Sequence, residues 1–109
     1  MTAEQFREIA LSLPDAEESS HMGHPDFRRL GKVFATLADP AKGLAMVKVP
    51  PDQQPHFLEV DPQAFFAASG AWGRAGCTMV RLQSANLEMI GEAMTAAWQC
   101  AVKRPPKKS

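Results

Sequence analysis

Three histidines and two cysteines are the residues of this 109-residue chain best suited to metal or acid–base chemistry. Their spacing limits both. His21 and His24 stand three apart, with His56 and Cys77 as distant candidates for further ligands. Zinc needs three or four converging nitrogen or sulfur ligands. An H-x-x-H pair outside a helix, with no partner motif, does not supply them, so no metal site is expected. His24-Pro25-Asp26 sets an imidazole beside a carboxylate, the pairing that general acid–base catalysis uses. No serine or cysteine nucleophile stands in a recognisable elbow near it. Asp26 is expected to form a turn and to accept from nearby backbone N–H groups, with His24 bracing that turn. Cys77 follows Gly76 at the start of a strand, where half burial is expected rather than activation. The stretch from Gly70 to Gly76 lacks the Lys-Ser/Thr ending of a phosphate loop. These readings give a non-enzymatic protein with no catalytic residues and no cofactor.

The remaining chemistry is cationic. Arg28, Arg29, Lys32, Lys42, Lys48 and Arg81 are either solvated strand charges or a strip that contacts a phosphate backbone. Arg74 follows Trp72 in a glycine-rich stretch, where it can meet a phosphate, a carboxylate or a stacked base. Net charge is zero, with twelve basic and twelve acidic residues. Lys103, Arg104, Lys107 and Lys108 hold four of the positive charges, so the body is net −4. Between Phe27 and Lys48 five basic residues face Asp39 alone. That local excess can attract an anion although the overall field is weak.

These groups must be held by a small fold. The length suits one domain, residues 1–102, followed by a basic tail, 103–109, expected to be disordered. Thr2 and Gln5 form a capping box, and Phe6, Ile9, Ala10 and Leu13 share one helical face. Pro14-Asp15 ends that helix. Glu17 to Gly23 reads as an edge strand. Phe27 to Leu30 and Lys32 to Leu37 read as strands around Gly31. Asp39 to Gly43 is a turn, which makes a hairpin of Lys32–Leu37 and Leu44–Val49. Asp52 to Leu58 reads as a short helix. Asp61-Pro62 predicts a helix start running to about Ala68. Ser69 to Gly76 reads as a loop and Thr78 to Leu82 as the last strand. Leu87, Ile90, Met94, Ala97, Trp98 and Ala101 mark the buried face of a long final helix, capped by Ser84 or Asn86. Strand alternation assigns Val33, Ala35, Leu37, Ala45, Val47, Val49, Thr78, Val80 and Leu82 to the core. The opposite face then carries Lys32, Phe34, Thr36, Met46, Lys48, Met79 and Arg81. The expected fold is α+β: a two-layer sandwich with the terminal helices on one face of an antiparallel sheet.

The chain resembles the MmcQ/YjbR-like family of small bacterial proteins from Thr2 to Ala101. The residues that carry the likeness are Leu11-Ser12-Leu13-Pro14, Gly23-His24-Pro25-Asp26-Phe27, Gly31-Lys32-Val33-Phe34-Ala35, Leu44 to Lys48, Trp72-Gly73-Arg74-x-Gly76 and Val80-Arg81-Leu82. The resemblance implies a two-layer fold similar to secretion chaperones and to the CyaY-like arrangement. It also implies DNA binding through a double wing of β-hairpins. Cys77 departs from the aromatic residue the family often carries there, which removes a ring. The acidic body also fits a dedicated DNA-binder poorly. The expected binding residues are His24, Arg28, Lys32, Lys48, Trp72, Arg74 and Arg81, with DNA as partner. The alternatives are a protein-interaction module, which docks a peptide or a second copy, and a small-anion site around His24, Trp72 and Arg74. No apolar run reaches membrane-spanning length, and two unpaired cysteines suit the cytoplasm.

Overall fold

A computed structural model describes residues 1–102; the basic tail at 103–109 lies outside the described residues. Helix α1 (Ala3–Leu11) leads into strands β1 (Ala16–His21), β2 (His24–Arg29), β3 (Lys32–Asp39) and β4 (Leu44–Lys48). Helix α2 (Gln54–Val60), strand β5 (Phe65–Ala67), helix α3 (Gly70–Arg74), strand β6 (Cys77–Arg81) and helix α4 (Leu87–Val102) follow. The six strands form one antiparallel sheet in the order β1-β2-β3-β4-β6-β5. The fold is therefore α+β with the terminal helices on one side of the sheet. Among the described residues, no helix is long and apolar enough to cross a membrane.

The local signals explain most of these elements. The capping box on α1 is complete: Gln5 N–H donates to Thr2 Oγ1 at 3.1 Å, and Thr2 N–H donates to Gln5 Oε1 at 2.9 Å. Asn86 caps α4, its Oδ1 accepting from Met89 N–H at 2.8 Å. Phe6 and Ala10 of α1 and Ile90, Met94, Ala97 and Ala101 of α4 are buried against Phe27, Ala35, Ala45, Val47 and Val80 of the sheet. Leu87, expected in that face, is the first residue of α4 and stands exposed; the helix first meets the core at Ile90. Trp98 closes the edge of the core. Its indole N–H donates to Pro14 O at 2.7 Å, and the Arg29 guanidinium stacks 3.6 Å from its ring centroid.

Three expectations fail for non-local reasons. The Asp61-Pro62 signal closes a single turn, with Ala64 and Phe65 N–H donating to Asp61 O. Phe65, Phe66 and Ala67 then pair with Val80, Met79 and Thr78 as β5, because two adjacent phenylalanines can serve the two faces of a sheet. The stretch expected as a loop contains α3, which forms where Gly73 settles against Ala68. Phe34 belongs to the core, not the open face. Phe27 pairs with Ala35 and Arg28 with Val33, so Phe34 is an unpaired extra residue, a β-bulge. The bulge sends Phe34 inward with Ala35 and reverses the alternation before it. Val33, expected in the core, comes to share the open side with Thr36, and Lys32, expected on the open face, turns to the α4 side with its cross-strand partner Arg29, which stacks on Trp98.

Both tight hairpins carry a side chain in the left-handed region. Met22-Gly23 has φ of 54° and 81°, and Leu30-Gly31 has 50° and 87°. These are two-residue type I′ turns, for which Asn-Gly is preferred. Met22 is 89% exposed and Leu30 66% exposed, so neither gains burial from its position. Met22→Asn and Leu30→Asn should each stabilise by about 0.5–1 kcal/mol. A thermal melt reads this as a rise of about 2–6 °C per substitution.

Candidate functional site

The face of the sheet away from α1 and α4 is built in rows. Asp26, Thr36, Met46, Met79 and Phe66 lie side by side across β2, β3, β4, β6 and β5. Lys48 sits opposite Cys77 one row along. Among the paired residues, β3 and β4 meet only from Ala35 opposite Val47 toward the hairpin turn. The bulge leaves Lys32, Val33 and Phe34 without β4 partners, and the strands part there. The gap becomes a cavity of about 490 Å³. Lys32, Val33 and Thr36 line one side, Met46, Lys48 and Cys77 the other, and Ala97, Cys100 and Ala101 of α4 lie at one end. A second hollow of about 270 Å³ continues across the face past His24, Ala38, Ala68 and Met79. His21, Thr36, Met46, Trp72 and Cys77 line both.

The electrostatics of this groove oppose those of the body. Two lysines and two histidines reach it, and among the described residues no aspartate or glutamate lines either hollow. Among the described residues, neither Lys32 nor Lys48 has an ion-pair partner. Trp72, on α3, is 72% exposed and lines both hollows. The Cys77 thiol is buried, and burial pushes it above its ordinary value, with Lys48 opposing. It is therefore held protonated rather than activated.

The Asp26 carboxylate, on the same sheet face, is neutralised. Asp26 is fully buried in the middle of β2, so it is not the turn-former expected. Arg28 grips it through two bonds, Nε to Oδ1 at 2.9 Å and Nη2 to Oδ2 at 3.0 Å. His21 Nδ1 completes the set at 2.6 Å from Oδ2. The Arg28 hydrogen bonds hold the Asp26 carboxyl below the ordinary carboxylate range, against the opposing effect of burial and with help from His21. His24 does not brace a turn; it faces His21 across the β1–β2 hairpin and lies exposed.

The seven residues singled out in the sequence therefore part company. His24, Lys32, Lys48 and Trp72 reach the groove. Arg28 is committed to Asp26. Arg81 lies over the Phe66 ring at 4.3 Å and donates to the Gln63 carbonyl at 3.1 Å, away from the cavities. Arg74 is exposed on α3 and lines neither hollow. The groove residues not singled out for binding are His21 and Cys77, which were weighed as metal ligands, and the end of α4. Two-residue hairpin geometry at Met22-Gly23 sets His21 opposite His24 and makes Asp26 its diagonal neighbour, so that signal was available. Among the described residues, no group of three or more His, Cys, Asp or Glu is placed to hold a metal ion.

Comparison with known proteins bears on the fold. A crystal structure of Deinococcus radiodurans protein DR2400, which carries a DUF419 domain, superposes with a TM-score of 0.76 at 20% identity, covering 98% of this chain and 83% of that one. A Pseudomonas syringae structural-genomics target superposes with a TM-score of 0.72 at 18% identity, covering 93% of this chain and 99% of that one. At these identities the likeness is one of fold. No functionally curated protein matches the chain. The YjbR family model matches residues 11–100, taking in all six strands, most of α4 and only the last residue of α1, and the chain therefore belongs to the YjbR family.

Proposed function

We propose that the open sheet face is a binding site for an anion carried on a flat ring system, with a nucleotide as the ligand class. The observation that carries this reading is the lining of the larger cavity. Lys32 and Lys48 line it from opposite sides, with Trp72 and with thioether, methyl and thiol groups, in a body that is otherwise net negative. Its volume falls within the range of small-molecule sites. The lysines take the phosphate and the exposed indole takes the base, the arrangement that sequence-tolerant nucleotide contacts use. Arg28 and Arg81 are spent on internal bonds, so the continuous cationic strip that duplex DNA needs is broken. The reading is non-enzymatic, since the buried Cys77 thiol is held protonated. Free Cys77 and Cys100 fit the cytoplasm.

The test is calorimetric titration with a nucleoside 5′-monophosphate and, separately, a short single-stranded oligodeoxynucleotide. Binding of the first supports a free-nucleotide site; binding of the second alone supports capture of a strand. Lys32→Gln and Lys48→Gln should each weaken the complex about 10-fold or more, the usual cost of losing a charge-assisted contact. Trp72→Ala should weaken it by a similar factor. Failure of both titrations at low salt removes the reading.

A further inference from the structure

The strongest unused feature is His21. The Asp26 carboxylate is buried and ionised, so it accepts only, and the 2.6 Å contact requires the proton on His21 Nδ1. The ring keeps Nε2 for whatever enters the two hollows it lines. Neutral His21 therefore offers an acceptor there, and protonated His21 offers a donor and a third positive charge. Arg28 fixes Asp26 from the other side, so the imidazole is held in place before any ligand arrives.

We infer that His21 is the specificity-determining residue of this groove, adding a charge-assisted contact to the bound anion only when protonated, so that binding takes up a proton. This rests on the anion-site reading above. The charged and titratable neighbours enter the balance together, and on β1 itself Glu17 stands opposite Arg28 on the same face. From β2, Asp26 attracts an imidazolium while Arg28 and His24 oppose it. Lys32 of β3 and Lys48 of β4 oppose it across the cavity, with the thiols of Cys77 and Cys100 also on its wall. On α1, Arg7 is paired with Glu4 and with Glu18 of β1. An arriving anion attracts the imidazolium directly and offsets the two lysines, which favours the third charge. Linkage makes the effect reciprocal: if the anion favours the proton, the proton favours the anion.

The probe is a fluorescent naphthalenesulfonate, whose flat body carries one charge that does not titrate between pH 5 and 9. The wild-type protein should bind it about 10-fold more tightly at pH 5.5 than at pH 8. Calorimetry in buffers of different ionisation enthalpy should report proton uptake. His21→Gln should bind at the pH 8 level throughout, without uptake, while His56→Gln, on α2 and beside Glu92, should keep the wild-type slope. In the wild type, the imidazole NMR signals of His21 should move on titration with the probe and those of His56 should not. A flat wild-type profile, or a His21→Gln profile that keeps its slope, overturns the assignment to His21 while leaving the anion site standing. Absence of binding at every pH overturns the site and this inference together.

Discussion

Gly76→Ala is expected to unfold the domain near ambient temperature. Gly76 has φ of +106°, which side-chain-bearing residues rarely adopt, and an added Cβ would sit 2.0 Å from the Val49 carbonyl oxygen. That oxygen is backbone and has little freedom to yield. Val49 N–H donates to Gly76 O at 3.1 Å, Thr78 Oγ1 donates to the same oxygen at 3.0 Å, and Gln54 Nε2 donates to Thr78 Oγ1 at 3.0 Å. The exit of β4, the start of α2 and the start of β6 are thus fastened at one glycine. Relieving the clash means breaking that fastening, at a cost of about 4 kcal/mol or more, a large share of what a small domain has. Gly23→Ala is the control. Its φ is +81° but nothing lies within 4 Å of its added Cβ, so it should cost only about 1–2 kcal/mol. Urea denaturation followed by circular dichroism compares the two. Equal midpoints would remove the close-approach argument.

This result also bears on what a sequence can disclose. The Trp72-Gly73-Arg74-x-Gly76 pattern reads as a site motif, yet both glycines are fixed by backbone approach: Gly73 to Ala68 O and Gly76 to Val49 O, each at 2.0 Å from the added Cβ. Only Trp72 of the motif faces the groove. The β3–β4 hairpin was legible because its signal is local, in the Asp39–Gly43 turn, and Gly31 marked the break between β2 and β3, whereas the β1–β2 turn at Met22-Gly23 was expected further on, at Pro25-Asp26. The capping box of α1 and most of the two long helix faces were legible for the same reason. The bulge at Phe34 was not, since it exists only in the pairing of β3 with β2. That one extra residue moves a phenylalanine into the core, frees the start of β3 from β4, and opens the space between Val33 and Lys48. The candidate site is therefore a consequence of register, and its cations were readable only as types. Their fates diverge through partners distant in sequence or missed by local turn logic: Arg81 to the Gln63 carbonyl, Arg28 to a buried aspartate.

Asp26→Asn should cost about 2 kcal/mol near neutral pH, and the loss should shrink as pH falls. A fully buried carboxylate with three hydrogen bonds to cationic or imidazole nitrogens sits at the high end for a single polar contact. Breaking a wholly buried pair costs about 3–5 kcal/mol, but the Arg28 and His21 side chains are 33% and 53% exposed and can turn to water once released, which places this case lower. The pH sign follows from the direction of the Asp26 shift. Its folded form holds a proton less readily than the unfolded chain, chiefly through the Arg28 hydrogen bonds. The contribution is therefore fully present above the ordinary carboxylate range, about pH 4, and is lost as pH drops through that range toward the depressed folded value. Wild type and Asp26→Asn should thus differ most in chemical denaturation at pH 5–7, with the gap narrowing as pH falls below about 4. A constant gap would mean that the asparagine disrupts packing rather than charge. Narrowing would fix Asp26 as an ionised anchor, which is the condition for His21 to keep its Nδ1 proton inward and turn Nε2 toward the groove.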